Sequence, residues 1–171
     1  MNSRHIRRAA TAAGSTIAAV ILLSGCGIAG NVFSADAQRD ESGSVTEDSN
    51  IDIFDLKVGD CKLADDANSE ELSATKVVPC ADSHDEEIFH EFELPEGEYP
   101  GEEAIYTAAL EGCEPEFASF VGISEEESSL TYAYFSPTPQ GWSEVDDRTI
   151  QCVLFTEDGT QLEGSAEGTK I

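Results

Sequence analysis

Apolar positions fall into three regimes along the chain. Residues 9–23 form a short apolar run rich in Ala, Gly and Thr, behind Arg4, Arg7 and Arg8. Residues 27–50 carry few apolar side chains (Ile28, Val32, Phe33, Val45) among Gly, Ser, Asp, Glu and Asn, which predicts a flexible tether. From Ile51 onward the apolar residues recur at structural periods, so a globular part is expected over 51–171. Short strands are predicted at 54–61, turning at Gly59-Asp60, and at 75–78, stopped by Pro79. Ile88, His90, Phe92 and Leu94 share a parity opposite Glu87, Phe89, Glu91 and Glu93, the pattern of a half-buried strand. The acid-rich stretch 65–71 reads as a surface loop. Ile105, Ala109, Cys113, Phe117 and Phe120 then repeat at helical spacing. Glu102 and Glu103 favour the positive end of that helix, and Gly122 provides a left-handed stop. Pro115 removes a hydrogen bond inside it, predicting a kink or a second short helix. Strands follow at 130–135 and 149–155, around a loop carrying Pro137, Pro139 and Gly141-Trp142. Beyond residue 157, Gly159, Gly164 and Gly168 predict a loose tail.

These elements predict a small α+β domain, an antiparallel sheet with one kinked helix packed on it. Four of the five cysteines, Cys61, Cys80, Cys113 and Cys152, lie inside this domain and allow three pairings. Cys113 falls on the apolar helical face, and Cys152 is in phase with Ile150 and Leu154. Both point into the helix–sheet interface, so the periodicity pairs them and leaves Cys61 with Cys80.

The fifth cysteine changes the picture of where the protein works. Leu23-Ser24-Gly25-Cys26 closes the apolar run and resembles a lipobox, the site at which lipoprotein signal peptides are cut. The expectation is a signal peptide over 1–25, acyl chains (palmitate among them) on Cys26, and a lipid-anchored extracytoplasmic protein. The apolar run itself is short for a membrane span. A 24-residue tether has a typical end-to-end distance of about 27 Å.

Charge narrows the partners. All 35 acidic residues lie beyond residue 25, with only six of the nine basic ones, so the exported part is more acidic than the net −26 of the whole chain. No nucleic acid is expected as a partner, since phosphate binding requires a basic face. The same surface is repelled by anionic headgroups and wall polymers.

Candidate chemistry is sparse. His84-Asp85-Glu86-Glu87, with His90 following, is the one cluster of ligand-type residues, but it lacks the His-Glu-x-x-His pattern. On a strand His84 and His90 stand about 20 Å apart, which favours a loop histidine and a strand histidine over a shared ion. There is no Cys-x-x-Cys or Gly-x-Ser-x-Gly pattern and no phosphate loop, so neither a metal nor a cofactor is indicated. Arg148 is the sole arginine beyond residue 50 and sits beside Asp146-Asp147, so it is expected to be ion-paired and to pin the 136–147 loop. Trp142 reads as the anchor of that loop.

In joint order these residues resemble the septum formation family of actinobacterial envelope proteins. The matching pieces are Leu56-x-Val58-Gly59-Asp60-Cys61, then Val77-Val78-Pro79-Cys80 with His84 and Glu87. Cys113 with Phe117, Val121-Gly122, Pro137, Trp142, Asp147-Arg148 and Cys152 complete the series. The family tends to show Gly-Asp-Arg where this chain has Asp146-Asp147-Arg148, which takes the glycine out of that turn. The resemblance implies an exported, often membrane-anchored protein linked to septation by label, with no catalytic residues attached. His84, Glu87, Trp142 and Arg148 are thus motif residues without an assigned role.

Two functions stand as expectations. The first is a non-catalytic interaction or sensing module of the cell envelope, meeting envelope or division proteins. The second is a metal-assisted hydrolase using His84 and neighbouring carboxylates, which would require His84, Glu87 and Arg148 to share one deep pocket.

Overall fold

The computed structural model describes residues 36–64 and 73–171. The lipobox cysteine Cys26, the signal segment and the acid-rich loop 65–71 therefore lie outside the described residues. Among the described residues no helix is long and apolar enough to cross a membrane.

Six antiparallel strands form one sheet in the order β1-β3-β2-β4-β6-β5. In chain order they are β1 (Ser49–Asp52), β2 (Cys61–Lys62), β3 (Ala74–Val78), β4 (Glu86–Glu93), β5 (Leu130–Phe135) and β6 (Thr149–Thr156). Helix α1 (Glu102–Val121) lies between β4 and β5 in sequence, and the short α2 (Pro139–Glu144) between β5 and β6. An α+β fold with Cys61–Cys80 and Cys113–Cys152 disulfides results.

Helix α1 buries Ile105, Ala109, Cys113, Phe117 and Val121. They pack with Phe89, Leu94, Leu130, Ile150, Cys152 and Leu154 of the sheet. Phe89 meets the Phe117 ring edge-on at a centroid distance of 5.7 Å. Each fully buried side chain of this size contributes about 1.5–3 kcal/mol, so this layer supplies the larger part of the core. Gly112 sits where α1 comes closest to the sheet: a Cβ there would lie 2.4 Å from the Phe92 ring.

Pro115 does not start a second helix. The helix runs unbroken through it, because Pro115 lies on the exposed side, where water satisfies the freed Glu111 carbonyl. Gly122 ends the helix in the expected left-handed conformation (φ 92°, ψ 5°), donating to the Ala118 carbonyl.

Strand β4 departs from simple alternation. Its register with β6 shifts between Ile88, opposite Val153, and His90, opposite Cys152. The extra residue is Phe89, and the bulge delivers it to the helix side together with Phe92 and Leu94. Ile88 is left in a second core on the other face, with Val45, Ile51, Leu56, Val77 and Val153. The predicted pairing of Ile88 with Phe92 and Leu94 on one face is corrected accordingly.

The expected strand at 54–61 is reduced to β2. Ile53–Asp55 form a 3-10 turn, and Gly59 (φ +90°) turns the chain, leaving a strand at Cys61–Lys62 alone. The stretch read as tether is also partly folded. Within 36–50, Val45 is buried, Arg39 bridges Val45, and β1 pairs with β3. Arg39 holds the Asp60 carboxylate with both guanidinium nitrogens at 2.5 and 2.7 Å, and Asp60 is 1 % exposed. The folded unit thus begins well before Ile51.

The C-terminal segment is packed rather than loose. Leu162 exchanges backbone hydrogen bonds with His84, Gly164 donates to the Cys80 carbonyl, and Lys170 donates to that of Val121. Leu162 and Ala166 are buried in the main core. The glycines that suggested looseness instead hold left-handed turns (φ +74°, +86° and +67° at Gly159, Gly164 and Gly168), which fold the segment back onto the sheet.

Candidate functional site

The motif residues separate into two centres at opposite ends of β4. His84 and Glu87 lie at the start of the strand, where Glu87 faces Leu154. Arg148 lies at its end, its carbonyl accepting from the Leu94 amide at 2.8 Å. Six strand residues separate Glu87 from Glu93, a span of about 20 Å. His84, Glu87 and Arg148 therefore share no pocket, and the arrangement required for the hydrolase is not present.

At the first centre both side chains are sealed under the C-terminal segment, each 0 % exposed. The Glu87 carboxylate accepts from the Ser165 hydroxyl at 2.6 Å and the Ala166 amide at 2.7 Å. Burial pushes its pKa above the usual carboxyl range, against the lowering effect of these two hydrogen bonds and of nearby His84. His84 Nδ1 lies 2.9 Å from the Asp82 carbonyl. A carbonyl only accepts, so Nδ1 carries the proton, and buried Nε2 has no hydrogen-bond partner among the described residues. Cys61, Cys80 and Glu87 are the one group among the described residues close enough to share an ion. The disulfide consumes both sulfurs that would serve as thiolate ligands. The site accordingly works as a staple: disulfide, carboxylate and strand bridge tie β2, β4 and the C-terminal segment together.

The second centre clamps α2. The Arg148 guanidinium stacks 3.7 Å from the Trp142 ring centroid and donates to the Trp142 and Asp147 carbonyls at 3.0 and 2.8 Å. It also pairs with Asp146 at 2.6 Å. Trp142 Nε1 donates to the Gly97 carbonyl at 2.9 Å, fixing α2 to the loop after β4. Both sequence readings, an ion-paired Arg148 and Trp142 as a loop anchor, describe this geometry. The 136–147 segment is not simply a loop, however. Thr138 caps α2 by accepting from Gly141, and Pro139 opens it. That Thr-Pro pair is a helix-start signal the reading of the region as a loop passed over.

Asp146 explains the missing glycine. It adopts φ +59°, so the turn survives with an aspartate in the left-handed region. Asp146→Val is expected to cost about 1–2 kcal/mol, because a β-branched side chain resists that conformation, while Asp146→Asn stays close to neutral. Chemical denaturation of the two variants checks this.

The open site is elsewhere, on the sheet face opposite α1. Gln151 alternates with Ile150 and Cys152 and so points away from the helix. Its neighbours across the strands are Glu91 and Phe135. Between the 52–57 turn and α2 these residues floor a groove of about 860 Å³. Gln151 Nε2 donates to the Leu56 carbonyl at 3.1 Å and holds one wall. The Arg148–Trp142 clamp holds the other. Among the described residues no histidine or cysteine lines the groove. Nothing in the sequence pattern marked it, because its residues come from stretches far apart in the chain, around 52–57, 91–93 and 134–151.

No curated protein and no solved structure matches this chain significantly. A family model described as septum formation matches residues 58–170, spanning both disulfides and both motif centres. That family carries no assigned catalytic activity. With the match covering most of the chain and all four paired cysteines, the chain belongs to the septum formation family.

Proposed function

We propose that the protein is a lipid-anchored, extracytoplasmic interaction module of the cell envelope, non-catalytic, that takes part in septum formation by holding a partner protein at the membrane. One observation carries this reading. The side chains with catalytic potential, His84, Glu87 and Arg148, are buried or ion-paired within the fold, whereas the groove lies open and carries no histidine or cysteine. The lipobox at Cys26 supports the anchor, and the family supports the link to septation.

In-cell photocrosslinking of the full chain tests the proposal, with the photoreactive residue placed at Phe54, Val145 or Ser119. Protein adducts containing envelope or division proteins are expected at one or more positions. Absence of adducts at all three, with the protein present in the membrane fraction, would overturn it.

A further inference from the structure

We infer that the groove receives an extended cationic segment of a partner protein, in which Lys or Arg alternates with an apolar side chain. This rests on the interaction-module reading and names the chemistry of the partner. Two features of the groove require the combination.

The first is charge. Asp52, Glu91, Glu93, Glu144 and Asp147 line the groove, and among the described residues Lys57 is its one basic residue. Carboxylates gathered along one cleft raise each other's energy, and a bound cation relieves that repulsion. An anionic ligand meets the opposite field. The net −26 of the chain adds long-range attraction for cations, which raises association rates and makes them salt-dependent.

The second is apolar exposure on both walls. Phe54 is 61 % exposed and Val145 63 % exposed, at either side of the same opening. Phe135 contributes a half-buried ring between them. A bare metal ion or a polyamine leaves these side chains in water. A peptide with apolar residues covers them and gains about 25 cal/mol for each Å² buried. An extended segment offers both kinds of side chain along its length, so its basic residues meet Glu93 and Glu144 while its apolar ones cover Phe54 and Val145. Both walls are fixed before binding, one by the Gln151–Leu56 hydrogen bond and one by the Arg148 stack, which keeps the ordering cost low.

Full-length protein carrying a photoreactive residue at Val145 provides the test, with adducts from living cells digested and sequenced. The expected partner peptides hold at least two Lys or Arg within about four residues of an apolar residue at the crosslink. Glu93→Lys combined with Glu144→Lys is expected to reduce the adduct at least about tenfold, with the unfolding temperature unchanged. Acidic or uncharged partner peptides, or an undiminished yield after charge reversal, would overturn the cationic assignment. Adducts at Ser119 on α1 but at neither Phe54 nor Val145 would sink the groove while sparing the interaction module. Adducts at none of Phe54, Val145 and Ser119 would remove both.

Discussion

Replacing Cys113 and Cys152 together with alanine is expected to lower stability by about 3–4 kcal/mol, the largest effect of any change in the core. The bridge joins the middle of α1 to the middle of β6, with both residues fully buried, and closes a loop with a sequence separation of 39. Opening it returns that loop's entropy to the unfolded chain and removes two sulfurs from the tightest part of the helix–sheet interface. For a domain of this size the loss corresponds to a fall of roughly 10–15 °C in unfolding temperature. The Cys61–Cys80 bridge closes a separation of 19, and the same relation makes its loop entropy smaller by about 0.6 kcal/mol. Thermal unfolding of the two alanine pairs measures both. A Cys113/Cys152 variant within about 1 kcal/mol of the parent would show that α1 holds the sheet without its covalent tie.

Glu87→Ala is expected to cost about 2–4 kcal/mol, since it strands the buried Ala166 amide, releases the Ser165 hydroxyl and leaves a cavity. Glu87→Gln keeps the shape and one acceptor and should cost far less at neutral pH. The two side chains differ in their pH dependence. Burial raises the folded-state pKa of Glu87 above its ordinary value of 4.5, so the folded protein binds this proton more tightly than the unfolded chain does. Stability from this group is therefore fully present below 4.5 and is lost as pH rises through the raised folded value. Relative to Glu87→Gln, the parent should gain stability as the solution is acidified from neutral, reaching a plateau below the unfolded value. Denaturation midpoints across that pH range test the sign. A parent that loses stability relative to Glu87→Gln on acidification would mean that hydrogen bonding outweighs burial.

What the sequence made legible follows from the range of the interactions involved. Helix α1 announces itself through a period of 3.6, because one face meets the core, and β5 and β6 as apolar runs bounded by turn residues, β6 being buried on both faces. The same phases place Cys113 and Cys152 face to face, so the pairing was readable before any fold was known. Phe89 was misplaced because a single inserted residue flips parity, and a bulge leaves no compositional trace. Strand β1 has one buried apolar residue, Ile51, and exists through its pairing with β3. The C-terminal segment looked loose for a related reason. Its anchors are Glu87 and the backbone of His84, about 80 residues away in the chain. Asp60 likewise depends on Arg39, which the composition of 27–50 placed in a tether. For the candidate site, the paired Arg148 and the anchoring Trp142 were legible from local charge and loop position. The groove was not, since topology alone assembles it.

These features separate two kinds of residue. The histidine, glutamate, tryptophan and arginine of the family pattern fasten loops and the C-terminal segment to the sheet. The exposed groove has one wall fixed by the Arg148–Trp142 stack and the other by the Gln151–Leu56 hydrogen bond.

The most direct measurement is hydrogen exchange in the native protein at two donors, the Ala166 amide and the Trp142 indole N–H, compared with the central amides of β6. If Glu87, Trp142 and Arg148 are structural fasteners, both protons exchange within about tenfold of the β6 amides, through the same large-scale opening. Exchange at either donor as fast as in an unstructured peptide would contradict the account, because it would leave those motif side chains free to meet a ligand.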